Sequence, residues 1–111
     1  MSSKSTGVIQ AFAVNTHQGA IRNYNEDRVA IILNIACPLS KINLYKHDKK
    51  PSLPSWPKIN YFAIYDGHGG SGCADFLRSN LHNNIINQKC FPEDPAKAIK
   101  LGCAKTEKEF L

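Results

Sequence analysis

The chain has 111 residues, of which 42% are hydrophobic and 21% charged, and its formal net charge is +5. That size supports one small domain, and the apolar share excludes wholesale disorder. The longest uninterrupted apolar stretch, Val29 to Leu33, is far short of the roughly 20 residues of a membrane-spanning helix, so no membrane span is expected.

In chain order, residues 1–7 (MSSKSTG) read as a disordered N-terminus. They lack the apolar core of a signal peptide, and Ser2 is the wrong residue for myristoylation, so a cytoplasmic or nuclear address is expected. Residues 8–14 (VIQAFAV) carry the β-branched and aromatic residues of a strand. Residues 15–25 bring turn formers without periodicity and read as a loop. Residues 28–36 (RVAIILNIA) predict a second, largely buried strand.

Residues 37–58 change character. They hold four of the six prolines and the lysines Lys41, Lys46, Lys49, Lys50 and Lys58, opposed only by Asp48. This is expected to be a variable, solvated Lys/Pro-rich loop, with Leu39, Ile42 and Leu44 able to extend an edge strand. Trp56 is expected to tuck against the core and anchor the loop. A basic patch can steer acidic partners through summed charge, but no aromatic residues are regularly interleaved with the lysines, so no nucleic-acid partner is expected.

Residues 60–65 (NYFAIY) predict a third strand, which ends at Asp66-Gly-His-Gly-Gly-Ser-Gly72, a stretch with four of the seven glycines. Cys73, Leu77, Leu81 and Ile85 then recur every fourth residue, predicting an amphipathic helix over 71–88. A second helix starts with Asp94 as N-cap and Pro95 at its first position, with Ile99, Cys103, Thr106 and Phe110 along its inner face. Strands followed by helices give an α+β fold. The cysteines Cys37, Cys73, Cys90 and Cys103 match neither a disulfide framework nor a zinc site, and read as reduced, mostly core residues.

Two stretches carry candidate chemistry. In Arg22-Asn-Tyr-Asn-Glu26-Asp27, the adjacent carboxylates are either a surface turn or ligands for a hard divalent cation. In Asp66-Gly67-His68-Gly69-Gly70, a carboxylate stands at a strand terminus, Gly67 allows close approach of its carbonyl, and His68 titrates near neutrality. The alternative there is a plain β-turn. Gly67 to Gly72 also satisfies G-x-G-x-x-G, with Glu93 about 20 residues beyond. Dinucleotide binding is chemically poor here, because Asp66 would stand beside the pyrophosphate and Glu93 follows a polar stretch instead of a second parallel strand.

The combination of Arg22 to Asp27, a strand, Phe62-Ala-Ile-Tyr-Asp-Gly-His-Gly69 and an apolar helix with Ala74 resembles the metal-dependent type 2C serine/threonine protein phosphatases. The resemblance runs from about Val8 to the end of the chain and loosens in the lysine-rich loop. It implies a β-sandwich flanked by helices, of which residues 8–111 are the N-terminal part, the fold being incomplete in this chain. It further implies two Mg²⁺ or Mn²⁺ ions bridged by Asp66, one of them completed by Glu26 and the Gly67 carbonyl, with Asp27 orienting water. By the same resemblance Arg22 grips the substrate phosphate and His68 protonates the departing oxygen.

The implied reaction is hydrolysis of phosphoserine or phosphothreonine in proteins by water activated between two metals. Charge agrees: a phosphate dianion beside Glu26, Asp27 and Asp66 is repelled unless cations are present, and Arg22 alone cannot offset it. The family's further metal-binding aspartates have no counterpart among Asp48, Asp75, Glu93, Asp94, Glu107 and Glu109. The expected partners are phosphorylated proteins, with a monomeric enzyme if complete. The alternative is a non-catalytic relative that binds a phosphoprotein or another partner.

Overall fold

β-branched and aromatic residues form the two strands of the computed structural model, which describes residues 28–66 and 72–111. The strand β1 is Arg28–Ile32 and the strand β2 is Tyr61–Tyr65. They pair antiparallel, with Arg28 opposite Tyr65, Ala30 opposite Ala63 and Ile32 opposite Tyr61. Side chains alternate between the two faces of a strand. One face therefore carries Ala30, Tyr61, Ala63 and Tyr65, which pack with Ala74, Leu77 and Leu81 of the helix α1, Gly72–Ile86. The other carries Val29, Ile31, Phe62 and Ile64, with Ile64 76% exposed and Phe62 46%. Among the described residues the sheet has two strands, which alone are marginal in water, and α1 covers one face of them.

The expected strand over 28–36 is shorter in the structure. Asn34 takes a left-handed conformation with φ 50°, which Asn tolerates better than most residues and which breaks the ladder. Its backbone N–H donates to Asn60 Oδ1 at 3.1 Å, and Ile35 N–H donates to the Ile59 carbonyl at 2.9 Å. The predicted edge strand around Leu39, Ile42 and Leu44 is a 3-10 helix, Leu39–Leu44, entered from Pro38. Pro38 lacks the N–H a ladder needs, while its carbonyl accepts from Lys41 N–H at 2.9 Å and starts the helical turn. Trp56 anchors the loop as expected: Nε1–H donates to the Ile35 carbonyl at 2.8 Å, and the ring packs edge-on to Tyr45 and against Phe91.

Lys41 departs from the expectation of a solvated lysine. It is 7% exposed, and Nζ donates to the carbonyls of Gln88 and Phe91 in the turn after α1. Burial pushes its ammonium below the ordinary lysine value, with Glu93 acting in the opposite direction. Lys46, Lys49, Lys50 and Lys58 are exposed as expected.

The helix α2 is Pro95–Phe110, capped as predicted by Asp94, whose carboxylate accepts Lys97 N–H at 3.2 Å. Its buried face is Ala98, Gly102 and Thr106, which corrects the expected stripe. Ile99, Cys103 and Phe110 are exposed. Small residues win because the helices approach closely: a Cβ added to Gly102 would lie 2.7 Å from Ile85 Cγ1 and 3.1 Å from Ile85 Cα. Cys73 likewise yields the inner position on α1 to Ala74. The four cysteines are free thiols, Cys73 and Cys103 exposed and Cys37 and Cys90 half-buried, and of the expected core cysteines Cys90 packs against the core cluster around Phe91. The second core cluster, Ile35, Ile85, Ile86, Phe91 and Ala98, joins α1, α2 and the loop.

Two stability predictions follow from this packing. Gly102→Ala gains about 1 kcal/mol of helix propensity but loses about 1–3 kcal/mol to overpacking against the Ile85 backbone, so its thermal midpoint is expected to fall. A raised midpoint contradicts the close approach. Lys41→Met keeps the apolar stem and strips the Phe91 carbonyl of this donor, for an expected loss of about 1–3 kcal/mol in urea unfolding.

Candidate functional site

The register that puts Arg28 opposite Tyr65 also decides where Asp66 stands. Asp66 leaves β2 at the end of the sheet where β1 begins, and it is exposed. Tyr65 is buried behind it, its phenol 2.6 Å from that of Tyr61 on the same face. Burial, and then the bond to Tyr61, push the Tyr65 phenol well above the usual tyrosine range. Burial also raises the Tyr61 phenol. Asp66 is thus an exposed carboxylate borne by a strand end that the tyrosine pair and α1 hold in place.

The start of α1 is tied to the same end of the sheet. Arg28 Nε–H donates to Asp75 Oδ1 at 2.8 Å, and Arg78 reaches the same oxygen at 3.4 Å. Asp75 lies in the first turn of α1, where the helix dipole favours a carboxylate. Neither Arg28 nor Asp75 was singled out by sequence reasoning. The signal was present in their positions, one directly after the Glu26-Asp27 pair and the other three residues after Gly72.

Of the predicted site residues, the structure describes Asp66. Arg22, Glu26, Asp27, Gly67 and His68 lie outside the described residues, as does the predicted strand over 8–14. Among the described residues there is no group of three or more His, Cys, Asp and Glu placed to hold a metal ion. Asp66 alone is therefore available for a test of fit. It is an exposed oxygen donor of the kind hard divalent cations take.

The family model for Protein phosphatase 2C matches residues 39–111. The chain belongs to the protein phosphatase 2C family. The matched segment contains Asp66, Gly67 and His68, and with them the G-x-G-x-x-G spacing of Gly67 to Gly72; Arg22, Glu26 and Asp27 precede it. Among curated relatives, protein phosphatase 1E of Mus musculus is 41% identical over 51 residues, which is 46% of this chain and 7% of that protein. A probable protein phosphatase 2C of Caenorhabditis elegans is 41% identical over 65 residues, 58% of this chain and 18% of that protein. Probable protein phosphatase 2C 7 of Oryza sativa subsp. japonica is 38% identical over 65 residues, 59% of this chain and 17% of that protein. The chain thus spans less than a fifth of the length of these relatives. No solved structure matches it.

The tyrosine pair behind Asp66 gives a pH prediction. A phenol with a raised folded pKa adds stability that is full below the unfolded value of about 10 and is lost as pH rises beyond it. Alkaline absorbance titration is expected to show more than one phenol ionising above the ordinary range, and Tyr65→Phe is expected to lower the amplitude of the late phase by one phenol, leaving Tyr61 within it. A late phase of unchanged amplitude contradicts the assignment.

Proposed function

We propose that this chain is the N-terminal part of a metal-dependent serine/threonine protein phosphatase domain, acting on phosphorylated proteins. The observation that carries this reading is Asp66, exposed at the end of β2 opposite the start of β1, within the segment matched to the protein phosphatase 2C family. Asp27 directly precedes Arg28 in the sequence. The strand end that bears Asp66 is therefore also the end at which the Glu26-Asp27 pair joins the sheet.

In this reading Asp66, Glu26 and the Gly67 carbonyl hold Mg²⁺ or Mn²⁺, an all-oxygen donor set suited to hard cations. When bound, two such ions supply the activated water and screen the charge of the phosphate. Asp27 orients that water. Arg22 binds phosphate oxygens through the planar fork of its guanidinium, and His68 delivers a proton to the departing serine or threonine oxygen. The face with Val29, Ile31, Phe62 and Ile64 supports a sandwich architecture, because an apolar sheet face as exposed as Ile64 gains most from a second layer.

Isothermal titration tests the metal site. The 111-residue chain is expected to bind Mn²⁺ weakly, because the family's further aspartates have no counterpart here, and Asp66→Ala is expected to abolish the heat. The chain alone is expected to turn over little or no phosphothreonine peptide. Absence of binding at millimolar Mn²⁺ contradicts the reading and leaves a scaffold or phosphoprotein-binding role.

A further inference from the structure

At the end of the sheet remote from Asp66, the 3-10 helix Leu39–Leu44 and the turn after α1 line a groove of about 510 Å³. Its apolar lining is Phe91, which is buried, Tyr45, and Leu44, which is 63% exposed. Its charged groups are Lys41, Lys89 and Glu93. Lys41 Nζ lies over the Phe91 ring, 5.5 Å from its centre, and Glu93 accepts the Tyr45 hydroxyl at 3.3 Å. Aromatic walls with a few polar groups are the usual make-up of a binding site. A leucine left exposed beside such a groove gains from an apolar partner.

One wall of the groove continues directly into a basic turn, since Tyr45 is followed by Lys46-His-Asp-Lys49-Lys50. Lys46 N–H donates to the Pro54 carbonyl at 2.7 Å and Lys50 N–H to the His47 carbonyl at 2.9 Å, so the backbone closes the turn. Trp56 then ties the chain to the Ile35 carbonyl. The side chains of Lys46, Lys49, Lys50 and, on the other wall, Lys89 are exposed and make no ion pair among the described residues. Cations carried on a backbone already closed lose less entropy on binding than cations on a loose chain. A small anion would meet one or two of these lysines, whereas a chain segment can meet all four. Residues 46–54 offer no Phe, Tyr or Trp ring for a base to stack on.

We propose that the groove and the basic turn together dock an acidic segment of a partner protein: an apolar side chain of that segment enters the groove between Leu44 and Phe91, and its flanking carboxylates meet Lys46, Lys49, Lys50 and Lys89. The surface is separate from the metal-site reading and does not depend on it.

The test titrates the 111-residue chain into a fluorescein-labelled heptapeptide, six acidic residues around a central phenylalanine, and follows fluorescence anisotropy. Salt is kept at about 0.15 M, where exposed charges more than about 8 Å apart are largely screened. Lys46→Glu/Lys50→Glu is expected to weaken binding about tenfold, because each reversal turns an attraction into a repulsion of the same scale. Lys105→Glu/Lys108→Glu changes net charge equally at exposed positions near the end of α2, which Phe110 sets beside Phe76 of α1. It is expected to stay within about twofold of the parent. Leu44→Ser, and separately serine in place of the peptide's phenylalanine, are each expected to cost about fivefold, on the scale of a partly buried apolar side chain. The serine peptide leaves the protein unaltered, so the groove is tested even where a variant folds poorly. Equal losses in the two lysine variants overturn the inference, and so do an unchanged affinity for the serine peptide and a parent chain that binds no peptide at millimolar concentration. Tighter binding to phosphatidylserine vesicles or to a single-stranded oligonucleotide, lost in Lys46→Glu/Lys50→Glu, also overturns it by giving the surface to another class of partner.

Discussion

Antiparallel pairing of Arg28–Ile32 with Tyr61–Tyr65 is the constraint on which the rest of this structure depends. A shift of one residue in that register would exchange the faces of one strand. Ala30, Ala63 and Tyr65 would no longer all face α1, and Arg28 would no longer stand opposite Tyr65. With the observed register, a run of 47 positions is folded so that Arg28 and Asp75 meet. The exposed carboxylate of Asp66 is presented at the same end of the sheet. The family match covers the second strand, both helices and the glycine-rich stretch that joins β2 to α1, while β1 precedes it.

The opposite end of the sheet is held by different chemistry. Beyond the Ile32–Tyr61 pair, the chain turns at Asn34, and Trp56 closes the loop onto the Ile35 carbonyl. Lys41 reaches the carbonyls of Gln88 and Phe91 in the turn after α1, the first of which also accepts Phe91 N–H at 3.0 Å. These contacts join loop, sheet and helices into the larger of the two core clusters. The loop that carries the lysines is therefore built into the fold at Lys41 and Trp56, and meets solvent at Lys46, Lys49, Lys50 and Lys58.

Much of this was legible from residue types. The aromatic and β-branched run before Asp66 and the Asp94-Pro95 helix start stand as read because each depends on local chemistry, and the anchoring role of Trp56 stands because a large aromatic in a polar loop gains from burial wherever its partners lie. The 3-10 helix at Leu39–Leu44 turns on the neighbouring Pro38, but two other departures depended on partners distant in sequence. On α2 the stripes Ile99-Cys103 and Ala98-Gly102 differ by one residue, about 100° around the axis. Only the close approach of Ile85 decides between them. Lys41 looked like its exposed neighbours because its acceptors, Gln88 and Phe91, lie far along the chain. For the site, the motif identified Asp66, while the Arg28–Asp75 contact needed the folded register to be seen.

The central claim is that a divalent cation binds at the sheet end where β1 begins and β2 ends. Paramagnetic broadening of backbone amide resonances by Mn²⁺ reads out that location directly. Four residue steps along the strands, about 13 Å, separate the Arg28–Tyr65 pair from the Ile32–Tyr61 pair, so a gradient is measurable across the sheet. The account predicts the strongest broadening at Arg28, Tyr65, Asp66 and the first turn of α1, fading toward Ile32, Trp56 and Phe91. Broadening centred instead on the loop beside Glu93, or spread evenly over the chain, would contradict it.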